Sequence, residues 1–219
     1  MKTTLITMCF WILALPLLAQ ELSTPSSLIF FHVGPSWYLG KQIGITNYST
    51  SYRDDLRSGM AWEASYHYLL KANSSSAYKF SPGLTYQGSQ YKNSNAESSD
   101  KILMHYIAPQ IGLFIIEKRF NVSLSTGLGW QAYTDKSTVF NKPRKVSMNK
   151  LAYNLSVSGE FLICSHFGVS AKINWIASDS ESYSVKYHGK KWDVNMPEKS
   201  GGGGFFSQLS ALIGFRFHL

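Results

Sequence analysis

Beyond residue 20, apolar side chains recur at every second position, a period that suits a strand and not a helix. Eight runs carry this alternation: residues 28–39, 60–70, 77–90, 102–116, 120–133, 151–163, 167–178 and 205–219. In the last, Leu209, Ala211, Ile213, Phe215, Phe217 and Leu219 share one face, and Gln208, Ser210, Leu212, Gly214, Arg216 and His218 share the other. Residues 167–178 repeat the pattern, with Phe167, Val169, Ala171, Ile173 and Trp175 opposite Gly168, Ser170, Lys172 and Asn174. Past the first twenty residues, no segment offers the i, i+3, i+4, i+7 stripe of an amphipathic helix. The chain therefore reads as all-β. Pro82 and Pro109 fall inside two of the runs, where proline removes a ladder donor. Each needs a bulge or a position where the lost bond does little harm.

What the two faces are made of decides the class. A soluble barrel or sandwich carries Lys, Glu and Asp on its polar face. Here that face is mostly Ser, Gly, Asn, Gln and Thr, and charged residues make up only 16% of the chain, against roughly 25% in soluble domains. Small polar groups suit a narrow, crowded interior. The apolar face is rich in Trp, Tyr and Phe, and Tyr78, Tyr133, Phe167 and Phe217 fall at strand ends, where aromatic girdles meet lipid–water interfaces. In lipid the sheet must close, because an open edge leaves backbone groups with no water to satisfy them.

The connections alternate in length. Long links cover residues 40–59, 91–101, 134–150 and 179–204, and short ones cover 71–76, 117–119 and 164–166. This is the pattern of an up-and-down transmembrane barrel with short periplasmic turns and longer extracellular loops. The fold class expected is thus an eight-stranded antiparallel barrel over residues 20–219. Residues 1–19 read as a cleavable signal peptide, with Lys2 in a basic start and an apolar core from Leu5 to Leu18 ending at Ala19. Its removal takes Cys9 away and leaves Cys164 alone, so no intrachain disulfide forms. Export to the outer membrane is expected.

With these features the chain resembles the small outer-membrane β-barrel family of Gram-negative bacteria, in its eight-stranded, porin-like domain form. The resemblance rests on the leader, the alternating strands, the segment Tyr106-Ile107-Ala108-Pro109-Gln110-Ile111-Gly112-Leu113 and the ending Ile213-Gly214-Phe215-Arg216-Phe217-His218-Leu219. It implies that the last strand is read by the barrel-assembly machinery. Family members usually end on an aromatic residue, whereas this chain ends on Leu219 with Phe217 two places earlier.

The formal net charge is +8, and loss of Lys2 with the leader leaves +7. Lys136, Lys142, Arg144, Lys145 and Lys150 concentrate in one long link, and Lys186, Lys190, Lys191 and Lys199 in another. At the cell surface Lys142, Arg144, Lys145, Lys190 and Lys191 are placed to contact lipopolysaccharide phosphates, or they stand as ordinary solvated loop charges. Outer-membrane lipids and lipopolysaccharide are the partners expected, nucleic acid is not, and the barrel is expected to be a monomer. Inside, Glu160, Lys172 and Arg216 fall on polar faces near the periplasmic ends, with Glu63 and Lys79 approaching across the lumen. Buried charges must be paired or hydrated, so Glu160 is expected to pair with Lys172 or Arg216 as a structural plug.

No metal-ligand spacing occurs and no cofactor is implied. None of His32, His67, His105, His166, His188 and His218 sits in a motif beside a serine and a carboxylate, so no catalytic residue is assigned. The four glycines 201–204 read as a hinge into the final strand. The function expected is non-enzymatic: a structural, surface-interaction or narrow porin-like role. The alternatives are an outer-membrane lipid A-modifying enzyme of deacylase or acyltransferase type, marked by a Ser–His pair at the bilayer boundary, and a secreted lipocalin-like binder.

Overall fold

A computed structural model describes residues 26–40, 42, 45–47, 49–70, 78–95, 98–117, 119–139, 142–179, 182–195 and 206–219. The expected leader over residues 1–19, the 71–76 link, the 201–204 glycines and Lys199 lie outside the described residues. Ten strands form: β1 Ser27–Tyr38, β2 Ser58–Tyr68, β3 Tyr78–Ser94, β4 Ser98–Ile116, β5 Phe120–Val139, β6 Lys142–Cys164, β7 Phe167–Ser178, β8 Ser182–Tyr187, β9 Lys190–Asn195 and β10 Phe206–His218. Consecutive antiparallel pairing runs from β1 to β7, β7 pairs with β10, and β10 pairs with β1. Eight strands thus close into a barrel with no open edge. Backbone bonds from Ser26 and Ser27 to the Leu219 carbonyl tie the two ends of the described chain together.

The prolines sit where the ladder is already interrupted or outward-facing. Ala108 and Pro109 have no partner on β5, whose pairing resumes at Gln110 with Gly127. There β4 and β5 approach so closely that a Cβ on Gly129 would collide with the carbonyl oxygen of Ile107. Pro82 stays in register opposite Ile111 and points outward.

The outer wall is apolar around the middle of the barrel. Phe31, Val33, Leu124, Leu128, Val157, Ile173 and Phe215 are all exposed, and Ile213 is 68% exposed. Their strand neighbours Ser123, Ser125, Ser156, Ser158, Ser170 and Asn174 are buried in the interior. Apolar side chains on the outside and Ser and Asn on the inside is the arrangement of a transmembrane barrel.

Above that band the arrangement reverses. The links 91–101 and 134–150, expected as loops, are mostly strand: β3 and β4 extend to Ser94 and Ser98, and β5 and β6 to Val139 and Lys142. In this extension apolar side chains turn inward, beside Asp100, Asp135, Ser137, Arg144 and Lys150. Tyr91, Ile102, Met104, Tyr133, Val146 and Met148 pack with Tyr38, Ile45, Leu56 and Phe206 into a core that caps the lumen. Outward positions are now lysine and small polar residues. Tyr133, expected in an outer girdle, is 1% exposed inside this cap; it has odd parity on β5, whereas the lipid-facing Leu128 and Trp130 are even.

Two further pieces complete the loop end. A short helix α1, Thr50–Asp55, lies in the 40–59 link and buries Tyr52 in the cap. Its Tyr52 hydroxyl donates to Asp100 Oδ2 at 3.0 Å. The β8–β9 hairpin turns on His188 and Gly189, both with positive φ, the two-residue geometry that matches strand twist. It adds to the free edge of β6, Ser147 to Arg144 opposite Ser184 to Tyr187, directly above the end of β7.

Candidate functional site

The lumen is filled in layers, as expected for eight strands, whose interior is about wide enough for side chains alone. Nearest the turn end, Arg216 Nη1 donates to Glu160 Oε2 at 2.7 Å and Nη2 donates to Ser158 at 2.9 Å. Glu160 also lies 2.7 Å from His218 Nε2 and accepts from Asn121 Nδ2 at 2.8 Å. The guanidinium carbon stands 4.1 Å from the ring centre of Phe30 and 5.7 Å from that of Phe114. Such planar stacking together with a two-sided hydrogen-bond fork suits arginine and not lysine.

One layer up, Lys172 Nζ is 2.6 Å from Glu63 Oε1. Ser65 donates to the same oxygen at 3.1 Å, and His32 Nδ1 stands 3.8 Å from it. Of the five residues expected to form one cluster, four therefore form two pairs, Glu160 with Arg216 and Glu63 with Lys172. Lys79 joins neither: at the turn end of β3 it is half-buried and takes part in no ion pair among the described residues. Above these pairs an uncharged network crosses the lumen. Asn174 donates to Gln87, Gln87 to Ser210, and Ser36 lies 2.9 Å from Ser210 and 2.7 Å from Tyr91. Ser89 donates to Gln208, and Tyr106 to Asn154.

The loop-end cations divide into two sets. Lys142, Lys145, Lys190 and Lys191 are exposed. Arg144 is turned inward, against the expectation of a surface contact. Its Nη2 is 3.6 Å from Asp100 and 3.5 Å from Asp135, and its Nε donates to Ser137. Burial, with the Asp100 carboxylate adjacent, raises Asp135 to about 8, while Arg144 pulls it down. Lys150, expected in a loop, also points inward and lies over the Phe206 ring at 3.1 Å. On the outer side, Lys136, Lys142, Lys145, Lys186 and His188 line a cleft of about 650 Å³ between the β5–β6 and β8–β9 hairpins. Among the described residues, no carboxylate lines it.

Among the described residues, two Ser–His pairs lie within hydrogen-bond reach. His32 Nε2 is 2.7 Å from Ser170 Oγ in the lumen, beside Glu63, but all three residues are no more than 3% exposed. Ser165 Oγ is 2.8 Å from His166 Nδ1 at the β6–β7 turn. Sequence reasoning missed the His32–Ser170 pair because its partners, 138 residues apart, become near neighbours only when the sheet closes and leaves β10 alone between β1 and β7.

No family model and no curated protein sequence matches this chain. Solved structures do. Neisserial surface protein A is similar with a TM-score of 0.54 and 8% identity, over 90% of this chain and 99% of its own. A major outer membrane protein of Thermus thermophilus is similar with a TM-score of 0.55 and 9% identity, over 88% and 99%. The outer membrane protease OmpT of Escherichia coli is similar with a TM-score of 0.51 and 10% identity, over 91% and 99%. At such identities the likeness is one of fold, and the fold is that of small outer-membrane barrels.

Proposed function

We propose that the protein is a monomeric, non-enzymatic outer-membrane barrel whose lumen is closed, with its role at the cell surface. The observation that carries this reading is the filled lumen: two buried ion pairs, the Asn–Gln–Ser network and the Tyr–Met–Ile cap lie in series along one narrow axis. A porin-like path needs continuous water, and these layers leave none of the width for it. Closure of the eight spanning strands supports the monomer, since the barrel wall leaves no strand edge within the membrane band to pair with another copy. The alternating β10 supports delivery by the barrel-assembly machinery, which the family resemblance implies.

A lipid-modifying reading draws on the Ser170–His32–Glu63 constellation. It is sealed under Lys172 and the polar network, and a nucleophile with no path to substrate supports a packing role instead. Planar-bilayer recording of the refolded barrel tests the proposal. It should show no unitary conductance, and steady channel openings would refute the closed lumen. Lipid A turnover that is lost in Ser170→Ala would refute the non-enzymatic part.

A further inference from the structure

The strand register sets lysines directly opposite one another around the loop end. Lys92 of β3 pairs with Lys101 of β4, Lys101 with Lys136 of β5, and Lys136 with Lys145 of β6. Lys145 then pairs with Lys186 of β8, and Lys186 with Lys191 of β9. All six side chains are exposed on the outer face. With strands about 4.8 Å apart, the row is roughly 24 Å long. Like charges directly opposite on an antiparallel pair oppose folding, and here the opposition repeats across six strands. Among the described residues, the outer faces of β3 to β6 hold no carboxylate to relieve it. Asp193, two residues past Lys191, stands at the far end of the row. Asp100 and Asp135 lie on the inner side, facing Arg144. Among the described residues, β3 to β6 thus leave the outer row needing anions from elsewhere.

Its position says which anions. Tyr86, Ile107, Trp130 and Leu151 form a row of their own along the upper edge of the apolar band. On each of β3 to β6 the lysine lies six residues beyond that row. Six residues span about 20 Å of strand, or about 14 Å of height at a tilt near 45°. A phospholipid headgroup layer adds only about 5–8 Å to a leaflet, so its phosphates stay below most of the row. The lysines also point sideways, toward whatever packs laterally against the barrel, and the row opens into the cleft lined by Lys136, Lys145 and Lys186.

We propose that this row and cleft form a track for the phosphorylated saccharide head of lipopolysaccharide packed beside the barrel. The inference rests on the outer-membrane reading above and deepens it by naming the ligand and the residues that hold it. Lysine serves a phosphate as a point charge, with no demand for bidentate geometry, which suits a head whose phosphates vary in position. The row, and not the loop tip alone, carries the contact.

The test uses the refolded mature barrel in phosphatidylcholine vesicles carrying dansyl-labelled lipopolysaccharide, intact or enzymatically dephosphorylated, at graded mole fraction. Energy transfer from the protein's tryptophans reports enrichment around the barrel. Intact lipopolysaccharide should half-saturate at a mole fraction at least tenfold lower than the dephosphorylated form, and added salt should shrink the difference. The Lys101→Gln/Lys136→Gln/Lys145→Gln/Lys186→Gln variant should lose that preference, and the matching Lys→Arg variant should keep it within about threefold. Without lipopolysaccharide, the Gln variant should resist urea at least as well as wild type, because repulsion has been relieved. Equal enrichment of intact and dephosphorylated forms around the wild type overturns the proposal and requires no variant. So does a Gln variant that retains the preference, or binding of a soluble sulfated oligosaccharide with no lipopolysaccharide enrichment. Bilayer conductance is read separately, so failure here leaves the closed-lumen reading standing.

Discussion

The ion pair at the turn end of the lumen makes an asymmetric prediction. Glu160→Gln keeps the side-chain shape but removes the charge facing Arg216, which has 0% exposure. The guanidinium then keeps Ser158 at 2.9 Å and the faces of Phe30 and Phe114, none of which carries a compensating charge. Leaving a buried charge without its counter-ion costs about 3–5 kcal/mol. Arg216→Met leaves Glu160 better provided, because His218 at 2.7 Å and Asn121 at 2.8 Å still serve the carboxylate. It should therefore cost less than Glu160→Gln. The double variant removes both charges and should be more stable than Glu160→Gln alone. Urea unfolding of the barrel in short-chain lipid vesicles, followed by tryptophan fluorescence and by the gel mobility of unheated samples, reads all three. With a slope of about 2 kcal/mol/M, a loss of about 4 kcal/mol moves the midpoint by about 2 M. A Glu160→Gln cost below about 1 kcal/mol, or a double variant equal to the sum of the singles, would refute a desolvated pair.

Three other outcomes follow from the same geometry. Leu124→Lys places a charge on the exposed mid-wall and should cost about 2–4 kcal/mol in bilayer, whereas Thr134→Lys, above the band on the same face of β5, should stay within about 0.5 kcal/mol; equal costs would defeat the lipid-facing assignment. Asp135 holds its proton to about 8 in the folded extension and ionises near 3.9 when unfolded, so its contribution is complete below about pH 4 and is lost as pH rises through 8. Protease sensitivity of the β5–β6 hairpin should then grow between pH 5 and 9 in the wild type and stay flat in Asp135→Asn, and the reverse trend would sink the assignment. Gly214→Val should block folding, since a Cβ there collides with the backbone of Phe31 on the paired strand; a normal yield of the fast-migrating folded form would contradict the register.

The eight spanning strands are legible in the sequence because lipid outside and a crowded polar lumen inside demand opposite side chains at alternate positions. That demand ends at the headgroups. In the extension water lies outside, so the polarity of the two faces inverts while the parity continues: Tyr91, Ile102, Met104, Tyr133, Val146 and Met148 turn inward while Lys92, Lys101, Lys136 and Lys145 turn outward. A reading that expects one greasy face throughout sees the pattern dissolve and assigns a loop. Carrying the even parity of Leu128 and Trp130 forward to Lys136 would have extended β5 and moved Tyr133 inside.

Helix α1 escaped for a different cause: at six residues it is too short to show a periodic stripe and is held by Tyr52 in the cap. Pairings across the lumen were legible only as far as strand adjacency reaches. Glu160 and Arg216 sit on strands separated by β7 alone, and Arg216 was one of the two partners expected for Glu160, beside Lys172. Glu63 and Lys172 meet across β1 and β10, a neighbourhood that exists only once the sheet has closed. The lysine row shows the same dependence on closure and register from outside. Each lysine is unremarkable in sequence, and only the pairing of successive hairpins turns six dispersed cations into one continuous line. Register is therefore what separates a solvated surface from a site in this protein, and a one-residue slip of β5 against β6 would bury Lys136 or Lys145 and dissolve the row along with the cap beneath it.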